Sequence, residues 1–305
     1  MPATVPAPED NQPTEARIEL GRKLFFDPLL SGTNSLSCAT CHNPGLAWTD
    51  GLPTAVGMDM AILDRNTPTI VNTAFASSQF WDGRAKTLEE QALGPLTSPN
   101  EMAENLATAI GELKAIPGYV ELFEEAYPGE GIKAETIARA LANFQRTIIA
   151  TTAPFDRWLA GDSSAMSESA VRGFEVFKGK GACEKCHSGF NFSDGSFHNI
   201  GIKQSAESLE DLGRYVIVPL PRMRGAFKTP TLRDVALTAP YMRDGSYATL
   251  MEVVEHYDRG GDDKTNLSPD IEALNLSDQE KQDLVEFMRS LTGEQKEVPV
   301  PLLPR

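Results

Sequence analysis

Cysteine and histidine are both scarce in this chain of 305 residues, which holds four of each. All four cysteines fall in two copies of one pentad, CxxCH, at residues 38–42 and 183–187. No cysteine is left over for a disulfide framework. A lone CxxC pair suits a redox dithiol or half of a zinc site, but two CxxCH pentads that use every cysteine favour neither.

Positive charge is also in short supply, since 28 Lys and Arg face 43 Asp and Glu and leave a net charge of −15. This balance argues against nucleic acid and anionic membranes as partners, while it permits a basic redox partner. No apolar run approaches the roughly 18 residues that a transmembrane helix needs. The sequence therefore predicts no membrane span.

Each pentad predicts a c-type haem attachment site. Its two thiols add across the two vinyl groups of one porphyrin, and the imidazole beside the second thiol becomes an axial ligand of the iron. We therefore expect two covalent haem c groups. The attachment residues and proximal ligands are Cys38, Cys41 and His42, followed by Cys183, Cys186 and His187.

The first 15 residues are rich in proline and lack the apolar segment of a signal peptide. In bacteria, covalent haem attachment normally follows export. We therefore interpret the sequence as a mature periplasmic protein from which the leader has been removed.

The surroundings of the two pentads indicate an internal duplication. Gly21-x-x-x-Phe25 precedes the first pentad and Gly173-x-x-x-Phe177 precedes the second, and an amphipathic helix follows each, predicted at 134–149 and 277–291. This order is typical of a small cytochrome c domain, and the chain length suits two domains. We predict a mainly α fold with long irregular loops, comprising an N-terminal domain at 1–160 and a C-terminal domain at 161–305.

Further elements follow from turn signals and periodicity. They are a poorly ordered arm at 1–14, a helix at 15–26, an irregular region at 43–100, a helix at 101–115, a linker at 161–164 and a strand at 215–218.

The second axial ligand of each iron decides what such a protein does. A strong ligand makes an electron carrier, whereas an open face permits peroxide or oxygen chemistry. Residue types and spacing leave the choice open among two histidines and six methionines: His198, His256, Met58, Met60, Met102, Met223, Met242 and Met251.

Seven stretches around the pentads carry a resemblance to a known family. They lie at 65–69, 79–85, 91–95, 98–102, 197–201, 228–233 and 238–241. In these stretches, and in their order, the chain resembles the bacterial di-haem cytochrome c peroxidase and MauG family over about residues 15–293. The resemblance implies an N-terminal peroxidatic haem and a C-terminal electron-transfer haem.

The resemblance also implies a calcium ion between the domains. Its ligands would be the Asn66 side chain and the backbone carbonyls of Thr238 and Pro240, which are the hard oxygen ligands that calcium prefers. The alternative for Asn66 is a turn residue in front of Thr-Pro.

Three further residues match functional positions of the family. Glu101 and Gln91 occupy its distal positions, where a carboxylate can shuttle a proton and an amide can orient peroxide. Trp81 matches the residue between the haems and would relay electrons. The alternatives are a first-turn helix carboxylate for Glu101 and core packing for Trp81.

Two departures from the peroxidase pattern matter. Met58 stands eight residues before Asn66, where the peroxidases have a gating histidine, so we expect no such gate, although Met58 itself could coordinate the iron. Tyr257 stands 17 residues after Pro240, where the peroxidases place a methionine ligand of the C-terminal haem. A tyrosine there matches the MauG type, and its alternative is a packed helix aromatic.

The implied function is a MauG-like di-haem peroxidase that uses hydrogen peroxide. Its C-terminal haem would store or relay an oxidising equivalent, and its reductant would be a small cytochrome c, a cupredoxin or a side chain of a partner protein. The competing hypothesis is a non-enzymatic di-haem electron carrier, which needs strong ligands on both irons.

Overall fold

The chain folds mainly into α-helices, as predicted. The structure is a computed structural model that describes residues 2, 4–203 and 210–304. Its α-helices are α1 (Glu15–Phe26), α2 (Cys38–Cys41), α3 (Leu88–Thr97), α4 (Leu106–Ala115), α5 (Pro117–Ala126), α6 (Ala134–Gln145), α7 (Pro154–Leu159), α8 (Glu168–Lys178), α9 (Leu250–Asp258) and α10 (Asp278–Arg289). Strands β1 (Phe197–His198) and β2 (Phe227–Lys228) pair antiparallel. Among these described residues, no helix has the length and apolar character to cross a membrane.

The buried side chains form two hydrophobic cores. The first extends from Leu20 to Ala150 and the second from Phe155 to Leu291. Val298 packs against the first core, and Lys23 Nζ donates to the Leu302 carbonyl at 2.7 Å. The C-terminal residues thus cross back over the first half of the molecule and tie the two halves together.

Each core is organised around one pair of crossing helices, α1 with α6 and α8 with α10. Gly21 lies at the first crossing and Gly173 at the second. A Cβ atom at either glycine would overlap a carbonyl oxygen of the facing helix, that of Ala140 or Asp283. Glycine is therefore required for the close approach of both pairs, which explains why it recurs before each pentad.

A second repeated unit carries the side chains of the site. Residues 79–87 and 241–249 form equivalent loops, closed by an isolated bridge from Gln79 to Ala85 in one and from Tyr241 to Tyr247 in the other. Each loop ends at a threonine whose hydroxyl caps the following helix, α3 or α9. Helices α3 and α9 are therefore equivalent and begin in the same register.

Helix α1 has the predicted bounds, and Ser277 with Glu280 forms the predicted capping box of α10. The predicted helix at 101–115 is too long, because Asn105 caps α4 and the helix begins at Leu106. The irregular region at 43–100 contains an unpredicted helix, α3, which continues through Pro95.

The predicted strand at 215–218 is wrong. Residues Arg214–Val216 form a single 3₁₀ turn, which follows Gly213 at positive φ and precedes two prolines that cannot donate to a ladder. The described part of the N-terminal arm is irregular but packed, because the Asn11 amide is buried and donates to Glu89 Oε1 at 2.7 Å.

Candidate haem-binding site

The two pentad histidines have the same local geometry. His42 Nδ1 lies 3.1 Å from the Trp48 carbonyl oxygen, and His187 Nδ1 lies 2.9 Å from that of Phe192. Because a carbonyl only accepts, each Nδ1 carries the proton and each Nε2 keeps its lone pair. Burial lowers the pKa of both imidazoles, which keeps them neutral. Both rings are therefore prepared to bind a metal through Nε2.

The second pentad opens on a cavity of about 920 Å³. Cys183, Cys186 and His187 line it together with Tyr257, which projects from the last turn of α9. The pKa of Tyr257 is raised by burial, and by a smaller effect of the neighbouring sulfurs of Cys183 and Cys186. The volume lies at the upper end of the range for cofactor and ligand pockets, so the donor set and the space both fit a haem.

The histidine that precedes Tyr257 points elsewhere. His256 is fully buried, its Nε2 lies 2.8 Å from the Ile200 carbonyl oxygen, and its Nδ1 lies 3.1 Å from Tyr247 Oη. Both ring nitrogens are therefore occupied within the protein. His256 is not among the side chains that line the cavity, and Tyr257 occupies that position on α9.

The other candidate ligands have separate surroundings. His198 lines the cavity, but its Nε2 lies 2.8 Å from Asp194 Oδ2, and this pair sits beside Cys186. Met242 also lines the cavity, whereas Met251 packs against the second core.

The turn that holds Glu101 lies beside the first pentad. Burial raises the pKa of Cys41 to about 11, and the carboxylates of Asp50 and Glu101 add to this effect. The Glu101 carbonyl accepts the Met58 backbone N–H at 2.8 Å. Since α4 begins only at Leu106, Glu101 is not in the first turn of a helix, and that alternative loses its basis.

The two other residues predicted near the first iron are both partly or wholly buried. Met58 is buried, and its Sδ accepts a hydrogen bond from the Thr33 hydroxyl at 3.3 Å. Gln91 lies half-buried on α3, and its side chain makes no hydrogen bond within the described residues. Its amide is therefore available to a ligand.

The equivalence of α3 and α9 separates the two sites chemically. Tyr257 lies eight residues after the capping Thr249, and Pro95 lies eight residues after the capping Thr87. Proline offers no side-chain donor atom to a metal. The equivalent position therefore offers a phenol, that of Tyr257, in the second half and no side-chain ligand in the first half.

Trp81 lies where the two halves meet. Its indole N–H donates to the Asn66 carbonyl at 2.9 Å, and its own carbonyl accepts the Lys228 backbone N–H at 2.8 Å. Arg65 reinforces this junction with ion pairs to Asp82 at 2.7 Å and to Asp211 at 2.8 Å, contacts that the sequence did not indicate.

The three residues of the expected calcium site line the same cavity as Trp81. The Asn66 amide Nδ2 donates to the Leu52 carbonyl at 2.7 Å, which fixes the orientation of this buried side chain. Its Oδ1 accepts no hydrogen bond from the part of the chain that the structure describes. Asn66, Thr238 and Pro240 all border this cavity, and each carries an oxygen atom of the kind that calcium prefers.

Comparisons with known proteins show what this chain is similar to. The model of the di-haem cytochrome c peroxidase family matches residues 15–164. The methylamine utilization protein MauG of Methylorubrum extorquens is 46% identical, over 99% of this chain and 86% of that protein. The cytochrome c551 peroxidase of Nitrosomonas europaea is 36% identical, over 94% of this chain and 83% of that protein.

A solved structure extends the likeness to three dimensions. The crystal structure of a MauG-like protein associated with microbial copper homeostasis superposes with a TM-score of 0.89 at 33% identity. The match covers 96% of this chain and 95% of the other.

Proposed function

We propose, because this chain belongs to the di-haem cytochrome c peroxidase family, that it reduces hydrogen peroxide at its N-terminal haem and relays an oxidising equivalent through its C-terminal haem. The chain is a haem-dependent oxidoreductase of the peroxidase type, and its relatives do not favour the non-enzymatic carrier. Each half is a cytochrome c-like domain built on one pair of crossing helices.

One observation supports different roles for the two haem sites. Helices α3 and α9 are equivalent, but the position that bears Tyr257 in the second half bears Pro95 in the first. Tyr257 would supply a phenolate ligand to a haem held by the second pentad, while Pro95 would leave a haem held by the first pentad with a face on which peroxide could bind. When bound, haem supplies an iron that exchanges electrons, and its open position admits the substrate.

Side chains of the first half supply the proton chemistry. His42 holds its group through Nε2 while the Trp48 carbonyl fixes the ring. The Glu101 carboxylate takes the proton from one peroxide oxygen and gives it to the other oxygen, which leaves as water. Gln91 orients the peroxide through its amide.

Tyr257 needs a cation to become a ligand. Burial raises its pKa, so the phenol keeps its proton unless a positive ion replaces it at Oη. The resulting phenolate is hard and anionic, which lowers the reduction potential of the second site and favours its oxidised forms. Trp81, which joins the two halves, relays electrons between them.

The remaining assignments concern calcium, location and partners. Asn66, Thr238 and Pro240 would hold calcium. Two observations support this: the Asn66 amide is held in place by the Leu52 carbonyl, and its Oδ1 accepts no hydrogen bond from the described residues. The attachment chemistry supports export to the periplasm. The reductant is a small cytochrome c, a cupredoxin or a side chain of a protein substrate.

Intact-protein mass spectrometry tests the cofactor assignment. We expect the denatured protein to carry two haem masses, because thioether bonds survive denaturation. Replacing Cys183 and Cys186 with Ala should leave one haem mass, and the same change at Cys38 and Cys41 should leave the other. A wild-type mass with fewer than two haems would contradict the assignment.

Rapid mixing with hydrogen peroxide tests the open first iron. We expect the fully oxidised protein to react without prior reduction, because Met58 replaces the gating histidine and its sulfur is engaged by Thr33. The change in the Soret band reports the reaction. A reaction that requires prior one-electron reduction would show that a group of the protein blocks this iron. Met58→Ala would then show whether Met58 is that group.

A further inference from the structure

A second tyrosine lies on the outer side of the helix that carries Tyr257. Tyr247 is half-buried, in the loop just before α9, and does not line the cavity. The His256 ring lies between the two phenols, with its centroid 5.5 Å from that of Tyr247 and 5.5 Å from that of Tyr257. Three rings in contact therefore lead from the cavity of the second site to the protein surface.

The outer phenol has a proton acceptor in place. Tyr247 Oη donates to Asp262 Oδ2 at 2.5 Å and lies 3.1 Å from His256 Nδ1. Arg259 holds the same carboxylate through contacts of 3.1 Å to Oδ1, which leaves Oδ2 directed at the phenol. Since His256 Nε2 is anchored to the Ile200 carbonyl, the middle ring is fixed as well.

We propose that Tyr247 is a redox-active residue through which an oxidising equivalent leaves the second haem for the side chain of a protein partner. The inference rests on the proposed function, because peroxide reduction must first oxidise that haem and Tyr257 must be its ligand. It adds the exit point, which none of the family's matched positions provides.

The electron and the proton of the step are both accounted for. Tyr247 gives one electron to the oxidised second haem by way of His256 and Tyr257, its O–H bond breaks, and the proton moves to Asp262 Oδ2. The product is a neutral tyrosyl radical beside a protonated carboxyl. A partner tryptophan or tyrosine then gives one electron to this radical, and Asp262 returns the proton to Oη.

The acid–base properties of the pair suit this step. Burial and the hydrogen bond to Asp262 raise the pKa of Tyr247 to about 12, so the phenol keeps its proton until it is oxidised. The Tyr247 hydrogen bond lowers the pKa of Asp262 to about 2, so this carboxylate is ionised and able to accept. Oxidation of Tyr247 moves the proton to Asp262, because a phenol that has lost an electron is a far stronger acid.

The position of Tyr247 suits a macromolecular reductant. The neighbouring Ser246, Ala248 and Thr249 are exposed, so the tip of this loop is accessible to another protein. Tyr257, by contrast, lines the cavity that the second haem would fill. An exit on the outer loop therefore removes the need for direct contact with the haem.

Freeze-quench electron paramagnetic resonance of the holoprotein, mixed with one equivalent of hydrogen peroxide and no reductant, tests this proposal. Wild type should develop a tyrosyl radical signal as the doubly oxidised state decays. Tyr247→Phe should lose that signal, although its haem spectra and its reaction with peroxide should match those of wild type. Tyr215→Phe is the matched control, since that half-buried phenol makes no hydrogen bond within the described residues, and it should keep the signal.

Asp262→Asn separates proton transfer from packing, because the amide can still accept a hydrogen bond but cannot hold the proton. The radical signal should be lost or strongly reduced in this variant. The same signal in Tyr247→Phe as in wild type would overturn the role of Tyr247 and leave the peroxidase assignment intact. A wild type that reaches no doubly oxidised state would overturn both.

Discussion

Replacing Tyr257 with Phe is expected to leave both haems covalently attached and to remove the phenolate ligand from the second iron. The cavity around His187 should then admit another ligand, or the iron should become high-spin. The doubly oxidised state formed with peroxide should become short-lived, because the hard anionic ligand that stabilises it is gone. Optical and electron paramagnetic resonance spectra, before and after peroxide, measure both effects.

Tyr241→Phe is the control for this change. Tyr241 lines the same cavity, and burial raises its pKa as it does that of Tyr257. This variant should keep wild-type spectra. Normal ligation in Tyr257→Phe would show that α9 does not supply the axial group, and a lost ligand in Tyr241→Phe would show that the effect is not specific to Tyr257.

Replacing Glu101 with Gln is expected to slow peroxide activation by about 10²–10⁴-fold, the usual contribution of a positioned general acid–base group. The amide preserves the size of the side chain but cannot carry the proton from one peroxide oxygen to the other. Because the backbone of Glu101, not its side chain, accepts the Met58 N–H, the turn and the haem spectra should be preserved. Stopped-flow mixing of the oxidised variant with peroxide gives the rate.

Glu104→Gln is the control for this prediction. Glu104 lies three residues further along the same segment, is buried, and has a pKa raised by that burial. Its replacement should leave peroxide activation near the wild-type rate. A wild-type rate in Glu101→Gln would reduce Glu101 to a turn residue and require another proton carrier near the first iron.

The parts of the fold that follow from local chemistry could be predicted from the sequence. Helix α1 begins at its Thr14 cap and ends where Asp27-Pro28 follows, and both signals are visible in the chain. The pentads define the haem attachment residues because the covalent chemistry itself fixes the spacing. Gly21 and Gly173 indicated the duplication in the sequence. Only the structure explains why both are glycines, because each lies where two helices approach closely.

Other parts depend on contacts between distant residues. Helix α3 was missed because Gly94-Pro95 is normally a turn signal, whereas here the proline lies in the last turn of the helix. The equivalence of Pro95 and Tyr257 rests on the matching bridges and threonine caps of the two loops. The contact of Tyr247 with Asp262 joins residues from either side of α9, and no local pattern predicts it.

The electron paramagnetic resonance spectrum of the fully oxidised holoprotein tests most directly the claim of one open iron and one iron ligated by Tyr257. The account predicts a high-spin ferric signal from the first iron that Tyr257→Phe leaves unchanged, together with a second signal that this substitution alters. Two low-spin signals without any high-spin component would contradict it and would indicate an electron carrier with strong ligands on both irons.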